Sequence, residues 1–263
     1  MRARNKKLFA VVETAYNTPG SITGANACRT TGIQILRYAG DRVTQEYDRA
    51  GLGNFRQINA NPHAGFSQFS VPFIGSGDVG VAPAWAPLVQ ACATAETDDT
   101  AVNDEWYYTP VDTGFASLTC VVAEELVQQQ STGVRGNFGI EANPGTLPVL
   151  TFSNFLGAYE RPVPLALTNV DDSAFQNAIP VTYSNTTVLT VGGKSYPVSG
   201  FTFDAGVTVT RVSQPNREET IVEDRRASGS IIVSPAQAAD IIELFQVVEN
   251  HVGATDVAIQ LKH

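Results

Sequence analysis

Apolar and polar residues alternate along much of this chain with the two-residue period typical of half-buried β-strands. Ile33 and Ile35 alternate with polar neighbours, and a second alternating segment follows at 66–73. The same kind of segment recurs between glycine-, asparagine- and proline-containing turns, at 118–124, 134–141, 147–157, 187–191, 200–203, 206–212, 219–224 and 228–233. Short strands at this regular spacing predict an all-β sandwich or barrel.

Two segments have the 3.6-residue period of a helix instead. Residues 83–94 place a group of large side chains on one face: Trp85, Leu88, Val89 and Cys92. Residues 235–252 follow a capping serine, begin with proline and end before Gly253. We therefore predict a mainly β fold, a sandwich or barrel with flanking short helices.

A long polar hairpin is predicted at 41–65. Its legs, 43–49 and 55–59, flank the sequence Gly51-Leu52-Gly53-Asn54, which is suited to a chain reversal. An isolated two-stranded hairpin is marginally stable in water, so a long one is expected to bind a partner. An ordinary surface meander is the alternative.

Composition and turns divide the chain into four segments. They are an N-terminal arm at 1–31, a first β lobe at 32–160, a crossover or linker at 161–186 and a second β lobe at 187–263. The order strand, polar hairpin, strand, helix occurs in each lobe. This order is either a weak internal repeat, giving two related lobes, or a coincidence within one fold.

Charge and cysteine content narrow the class of protein. The 263 residues are only 16% charged and carry a net charge of −9, which suits a surface covered by partners and disfavours tight binding to nucleic acid. Three widely spaced cysteines imply no disulfide framework. No apolar run approaches the roughly 20 residues of a membrane span. We expect a soluble protein made in a cytoplasm, with no membrane partner.

The sequence contains few motifs that are typical of catalytic sites. Gly75-x-Gly77-x-x-Gly80 fits a dinucleotide-binding fingerprint, but the preceding strand alternates and no series of βα units follows, so a tight turn with positive φ is expected instead. The three histidines lack ligand spacing, and no nucleophile elbow occurs. The cysteines are expected to be inert core residues. We predict no catalytic, cofactor-binding or metal-binding residues.

Several short phrases, in order, resemble the tail tube (major tail) proteins of long-tailed bacteriophages. The segment 12–20 resembles an opening "E-x-x-Y-G-T" phrase in which Asn17 replaces the usual glycine. Residues 75–88 resemble a turn-plus-helix phrase with Ala-Pro-x-Trp, and 133–138 resemble a "G-x-R-G-N" strand. Gly145-Thr146-Leu147-Pro148 and Phe155-x-Gly157-x-Tyr159 follow. The phrases span 12–160, and the remainder of the chain contributes none.

The resemblance implies a non-catalytic structural virion protein that assembles into stacked rings. The rings, of three two-lobed or six subunits, would form a hollow tube that delivers DNA without binding it specifically. Implied partners are further copies of the chain and the tail terminator, tape measure and baseplate proteins. The implied location is the virion tail, assembled in the host bacterial cytoplasm, with a negative lumen that keeps DNA from adhering.

Two groups of residues are candidates for these roles. The arm, the hairpin and its counterpart at 213–228 are expected to form contacts between copies, through Tyr16, Tyr47, Arg49, Leu52, Phe55, Arg56, Arg217 and Arg225. Glu124, Glu218 and Glu223 are expected to be acidic residues of the lumen.

Three other functions remain open at this point. One is another tail, baseplate or secretion-tube component with the same fold. A second is a β-sandwich glycan-binding module, in which Trp106-Tyr107-Tyr108 would be exposed for stacking on a sugar, whereas packing at a strand end is the structural alternative. The third is an enzyme on a β scaffold.

Overall fold

The computed structural model of the chain describes residues 6–46, 55–99, 105–167, 169–186, 188–191, 194–235, 237–249 and 259–262. Its strands are β1 (Lys6–Val12), β2 (Ala27–Cys28), β3 (Thr31–Glu46), β4 (Phe55–Pro72), β5 (Thr94–Asp98), β6 (Trp106–Pro110), β7 (Leu118–Glu124), β8 (Val127–Glu141), β9 (Val149–Ala158), β10 (Val163–Pro164), β11 (Val188–Val191), β12 (Lys194–Ser195), β13 (Val198–Asp204), β14 (Val207–Gln214), β15 (Arg217–Arg225), β16 (Ser228–Val233) and β17 (Ile259–Lys262). Its helices are α1 (Ala86–Gln90) and α2 (Ala238–Glu249).

The predicted mainly β fold with short helices is confirmed, and β8 is its central strand. The main sheet is antiparallel and has the order β2-β1-β7-β8-β9-β4-β3. Along one edge, β8 pairs with β7 through its first half and with β13 near its end, where Thr202 lies opposite Glu141. The strand β16 then pairs with β13. One long strand thus joins two sets of neighbours, as in a β-sandwich.

The core forms because the alternating apolar residues of these strands point to the same interior. Leu8 of β1 and Val122 of β7 belong to one buried cluster with Phe69 and Phe152, whose ring centroids are 5.0 Å apart. Leu88 of α1 is fully buried in the same cluster. The helix therefore fills the core between strands, which accounts for its apolar face.

The helix predicted at 83–94 is shorter than expected. It comprises 86–90, Ala93 adopts φ 57°, and β5 begins at Thr94. Proline lies near its start, and the left-handed residue after it ends the helical path. The C-terminal helix is confirmed from 238 to 249, but it begins three residues later than the predicted start at 235; residues 250–252 of that prediction lie outside the described residues.

The prediction of an N-terminal arm outside the core is wrong for 6–12. Residues 6–12 form β1, which pairs with β7 along its whole length, and Leu8 and Phe9 are fully buried. The run Leu8-Phe9-Ala10-Val11-Val12 has apolar residues on both faces because both faces of this strand are covered. Its outer face packs under Leu165 and neighbouring residues of the predicted crossover.

The main sheet does not stop at the predicted boundary between the lobes. Strand β13 belongs to the second predicted lobe but pairs with β8 of the first, and Val207 lies in the common core. The order strand, hairpin, strand, helix is present in both segments. However, β3 lies at an edge and β4 inside the sheet, whereas β13 lies inside and β16 at an edge. The internal repeat stays a prediction.

Gly65 provides a test of this packing. A Cβ at this position would lie 1.8 Å from the carbonyl oxygen of Phe155 on the neighbouring strand, which is backbone and cannot rotate away. We expect Gly65→Ala to lower the free energy of unfolding by about 3 kcal/mol or more, as severe overpacking does. Gly75→Ala is the control, because no atom lies within 4 Å of its Cβ position. Urea denaturation of both variants is the measurement, and equal stabilities would contradict the described strand packing.

Candidate assembly surfaces

The predicted hairpin is present as the outer part of β3 and β4. Residues 41–46 pair with 55–60 in continuous antiparallel register, and residues 41–46 are all exposed. Val43 and Ile58 lie directly opposite each other and are 51% and 40% exposed. An apolar cross-strand pair on a solvated hairpin is a surface suited to contact with another chain.

The candidate assembly residues of this hairpin are only partly described. Tyr47, Arg49 and Leu52 lie outside the described residues. Phe55 begins β4 opposite Glu46, and its backbone alone is described. Arg56 is exposed and lies opposite Gln45. Arg56 therefore remains available for the predicted contact.

Tyr16 makes its hydrogen bonds and its ring contact within its own chain, which disfavours its predicted role between copies. Its hydroxyl oxygen accepts hydrogen bonds from the backbone N–H of Thr220 and from Arg211. Its ring lies under the guanidinium of Arg135, with 4.7 Å between the guanidinium carbon and the ring centroid. Tyr16 thus fastens the N-terminal segment to the β14–β15 hairpin.

Arg135 is the centre of this network. It is 8% exposed and donates hydrogen bonds to three backbone carbonyl oxygens, those of Phe115, Ala116 and Thr220, at 2.8, 3.2 and 2.7 Å. Burial lowers the pKa of the guanidinium, but arginine remains charged at neutral pH. A single buried side chain therefore ties β8, the loop before β7 and the β14–β15 hairpin together.

Glu13 makes a second buried connection between the N-terminal segment and the sheet. This buried carboxylate accepts hydrogen bonds from the hydroxyls of Ser117 and Thr119 and from the backbone N–H groups of Asn17 and Gly133. Asn17, which replaces the glycine of the resembled phrase, has φ 59°, a left-handed conformation that asparagine tolerates. The two phrases 12–20 and 133–138 therefore meet in space.

The two arginines of the second hairpin differ in their surroundings. Arg217 is at the exposed tip and pairs with Glu219. Arg225 is half-buried and reaches the carbonyl oxygens of Ala93 and Val111 and the carboxylate of Asp112, at 3.4, 3.3 and 3.4 Å. Arg225 therefore holds its hairpin onto the chain, contrary to its predicted role between copies, whereas Arg217 stays a surface candidate.

The three candidate lumen acids are also unequal. Glu124 is 7% exposed and pairs with Lys6 and Arg37, so it presents little free negative charge, which disfavours its predicted role in a lumen. Glu218 is exposed and accepts a hydrogen bond from Arg211. Glu223 is exposed at the bulge where the register of β14 and β15 shifts. Glu218 and Glu223 keep the predicted role as a hypothesis.

An aromatic groove of about 410 Å³ lies beneath the β5–β6 hairpin. Trp85 and Tyr108 line it, with ring centroids 5.1 Å apart. The indole N–H of Trp106 is buried without a hydrogen-bond partner among the described residues. Burial and a hydrogen bond to Glu96 raise the pKa of Tyr108, which stays neutral. The sequence predicts a packing cluster at Trp106-Tyr107-Tyr108 but not the groove, because Trp85 is distant from these residues in sequence.

The turn at 75–80 has a structural role. Gly77 and Gly80 have φ 83° and 76°, as the turn interpretation requires, and a Cβ at Gly77 would contact Gln176 of the crossover. The amide of Gln176 donates to the carbonyl oxygen of Ser76. The helix that follows has only five residues.

Within the described ranges no three His, Cys, Asp or Glu side chains are arranged to hold a metal ion. In the same part of the chain, no helix is long and apolar enough to cross a membrane. No protein-family model and no curated protein matches this sequence.

Replacing Arg135 tests the network. We expect Arg135→Met to lower the free energy of unfolding by about 3–5 kcal/mol, because three carbonyl oxygens would lose a charged donor in a buried site. Arg217→Met removes an exposed arginine from the nearby hairpin tip and should change stability by no more than about 0.5 kcal/mol. Urea denaturation measures both, and a neutral Arg135 variant would contradict the central role of this residue.

The cysteines give a pH-dependent test of burial. Burial raises the pKa of Cys28 to about 12 and raises those of Cys92 and Cys120 well above the usual range. At pH 8 the three thiols are therefore protonated, which slows their reaction, and access to the sulfur then decides which of them reacts. We expect a thiol-specific reagent to modify Cys92 and Cys120 only after unfolding, with the partly exposed Cys28 reacting first in the folded protein. Rapid modification of all three thiols without denaturant would contradict the described core.

Proposed function

We propose that this protein is a structural subunit that associates with copies of itself into rings, which stack into a hollow tube. The observation that carries the proposal is the pair of edges of the sheet path β3-β4-β9-β8-β13-β16. Among the described residues, β3 pairs with β4 alone and β16 with β13 alone. An unpaired strand edge is a template for another chain.

The number of strands determines how such edges could meet. Each of the five pairings in this six-stranded path is antiparallel. Because six is an even number, β3 and β16 run in opposite directions. Copies related by rotation about an axis along the strands would therefore place β16 of one copy antiparallel to β3 of the next. A contact between two different edges repeats from copy to copy, and a ring results if the rotation closes.

Stacking of the rings would use surfaces at the ends of the strands. The outer part of the β3–β4 hairpin extends beyond the region where β4 pairs with β9, since the last such pair is His63 with Ala158. A solvated two-stranded extension is stabilised by a partner. The next ring is the partner that we propose for it.

The tube that fits these features and the sequence phrases is the tail tube of a long-tailed bacteriophage. Its subunits would act without catalysis, in the virion tail, after assembly in the host cytoplasm. The net charge of −9 supports passage of DNA without adhesion, because like charges repel. The tail terminator, tape measure and baseplate proteins are the expected further partners. Either three or six subunits per ring satisfy the strand argument.

A substitution on the β16 edge tests lateral association. Ile232 is 59% exposed on β16, and Ile232→Lys adds a charge that disfavours strand pairing between chains. We expect this variant to remain folded but to form rings at least about tenfold less readily, because a desolvated unpaired charge costs several kcal/mol at an interface. Negative-stain microscopy and sedimentation are the measurements.

Tyr183→Lys is the matched control for that experiment. Tyr183 is fully exposed in a turn outside the strands, so the same added charge should leave ring formation unchanged. A wild-type protein that stays monomeric at high concentration, or an Ile232→Lys variant that forms rings as readily as the wild type, would count against the proposed function.

A further inference from the structure

The aromatic groove carries an acidic border. In β5 and β6 the register places Glu96 opposite Tyr108 and Asp98 opposite Trp106. Side chains of directly opposed residues lie on the same face of a hairpin, so both acids lie beside the aromatic rings. Residues 94–112 contain six acidic residues and no Lys or Arg. Among the described residues that line the groove, Arg225 is the one cationic side chain, and it pairs with Asp112.

Such a groove suits an apolar segment that bears a positive charge. Aromatic rings attract a cation through their electron-rich faces, and nearby carboxylates strengthen that attraction. The indole N–H of Trp106 is buried and has no acceptor in the described part of the chain.

One face of the β3–β4 hairpin has the matching chemistry. Val43 and Ile58 form its exposed apolar pair, and Arg56 lies on the same face two residues from Ile58. Successive residues of a strand alternate between faces, so Arg42 lies on the opposite face. The face therefore offers two apolar side chains beside one exposed cation.

These two surfaces lie at opposite ends of the same strand. Arg56 is near the start of β4, and Phe73, which lines the groove, follows its last residue. At the rise of an extended strand, this length of chain corresponds to about 55 Å. A hairpin that enters the groove would therefore belong to another copy of the chain.

We propose that the groove beneath β5–β6 binds the Val43/Ile58/Arg56 face of the hairpin of a second copy, in head-to-tail fashion. The contact is axial, along the strand direction, and complements the lateral contact between β16 and β3. This inference rests on the proposed function, because it names the surface on which one ring would meet the next. A head-to-tail contact of this kind does not close, so it extends a stack ring by ring.

The test reverses one charge on each surface of the full-length protein. Arg56→Glu places an acid against the acidic groove, and Asp98→Lys places a base against the arginine of the hairpin. Both side chains are exposed, so each variant should fold. Each variant alone should stack at least about tenfold less readily than the wild type, with rings still forming, because like charges meet at every contact. Sedimentation and electron microscopy measure stack length.

An equimolar mixture of the two variants is the decisive sample. In the mixture the acid introduced by Arg56→Glu can meet the base introduced by Asp98→Lys, while the unchanged Arg56 of one variant meets the unchanged Asp98 of the other. Alternating stacks should therefore form. Arg161→Glu is the control: Arg161 is exposed but lies outside the hairpin, and its reversal should leave stacking unchanged.

Tryptophan fluorescence provides a direct report on the groove. The chain has two tryptophans, and both line this groove, so stacking should shift the emission of the wild type and of the mixture. Normal stacking by either single variant, or failure of the mixture to stack, would overturn the axial proposal while leaving ring formation intact. Failure of the wild type to associate at all would overturn the proposed function as well.

Discussion

The buried guanidinium of Arg135 is the interaction on which the arrangement of this chain depends. A charged group removed from water must be paired or fully hydrogen-bonded, and three backbone carbonyl oxygens and the ring of Tyr16 meet that requirement here. The carbonyls come from the loop before β7 and from β15, so the charge can be satisfied only when these parts are correctly placed. Buried Glu13 imposes the same condition on the N-terminal segment through Gly133.

This network also explains why the two best sequence phrases occur together. The phrase around Glu13 and Tyr16 and the phrase around Gly133 and Arg135 are about 120 residues apart, yet each supplies the partners of the other. Gly136 adds a steric requirement, since a Cβ there would lie 2.1 Å from the ring of Phe155. The residues that carry the resemblance are therefore residues that fix β1, β8 and the β14–β15 hairpin relative to one another. Their structural role is independent of any assembly.

Under the proposed function, the fixed body has two kinds of surface for further copies of the chain. Laterally, an even number of antiparallel strands ends in edges of opposite direction. Axially, an exposed hairpin lies at one end of β4 and an acidic aromatic groove at the other. The acidity of the chain is consequently not uniform: Glu124 is neutralised inside the body, whereas Glu96 and Asp98 lie beside the aromatic rings of the groove. Local charge, rather than the total of −9, determines what each end can bind.

The amino-acid sequence is enough to predict the mainly β class, the long hairpin and the C-terminal helix, because the two-residue and 3.6-residue periods depend only on local backbone geometry. Periodicity could not show that Lys6–Val12 is a core strand, since a strand covered on both faces lacks alternation. Periodicity also could not show that Tyr16, Arg225 and Glu124 form hydrogen bonds or ion pairs within the chain. Tertiary structure alone decided these roles, and it brought Trp85 to Trp106, because hydrogen-bond partners and groove walls come from residues that are distant in sequence.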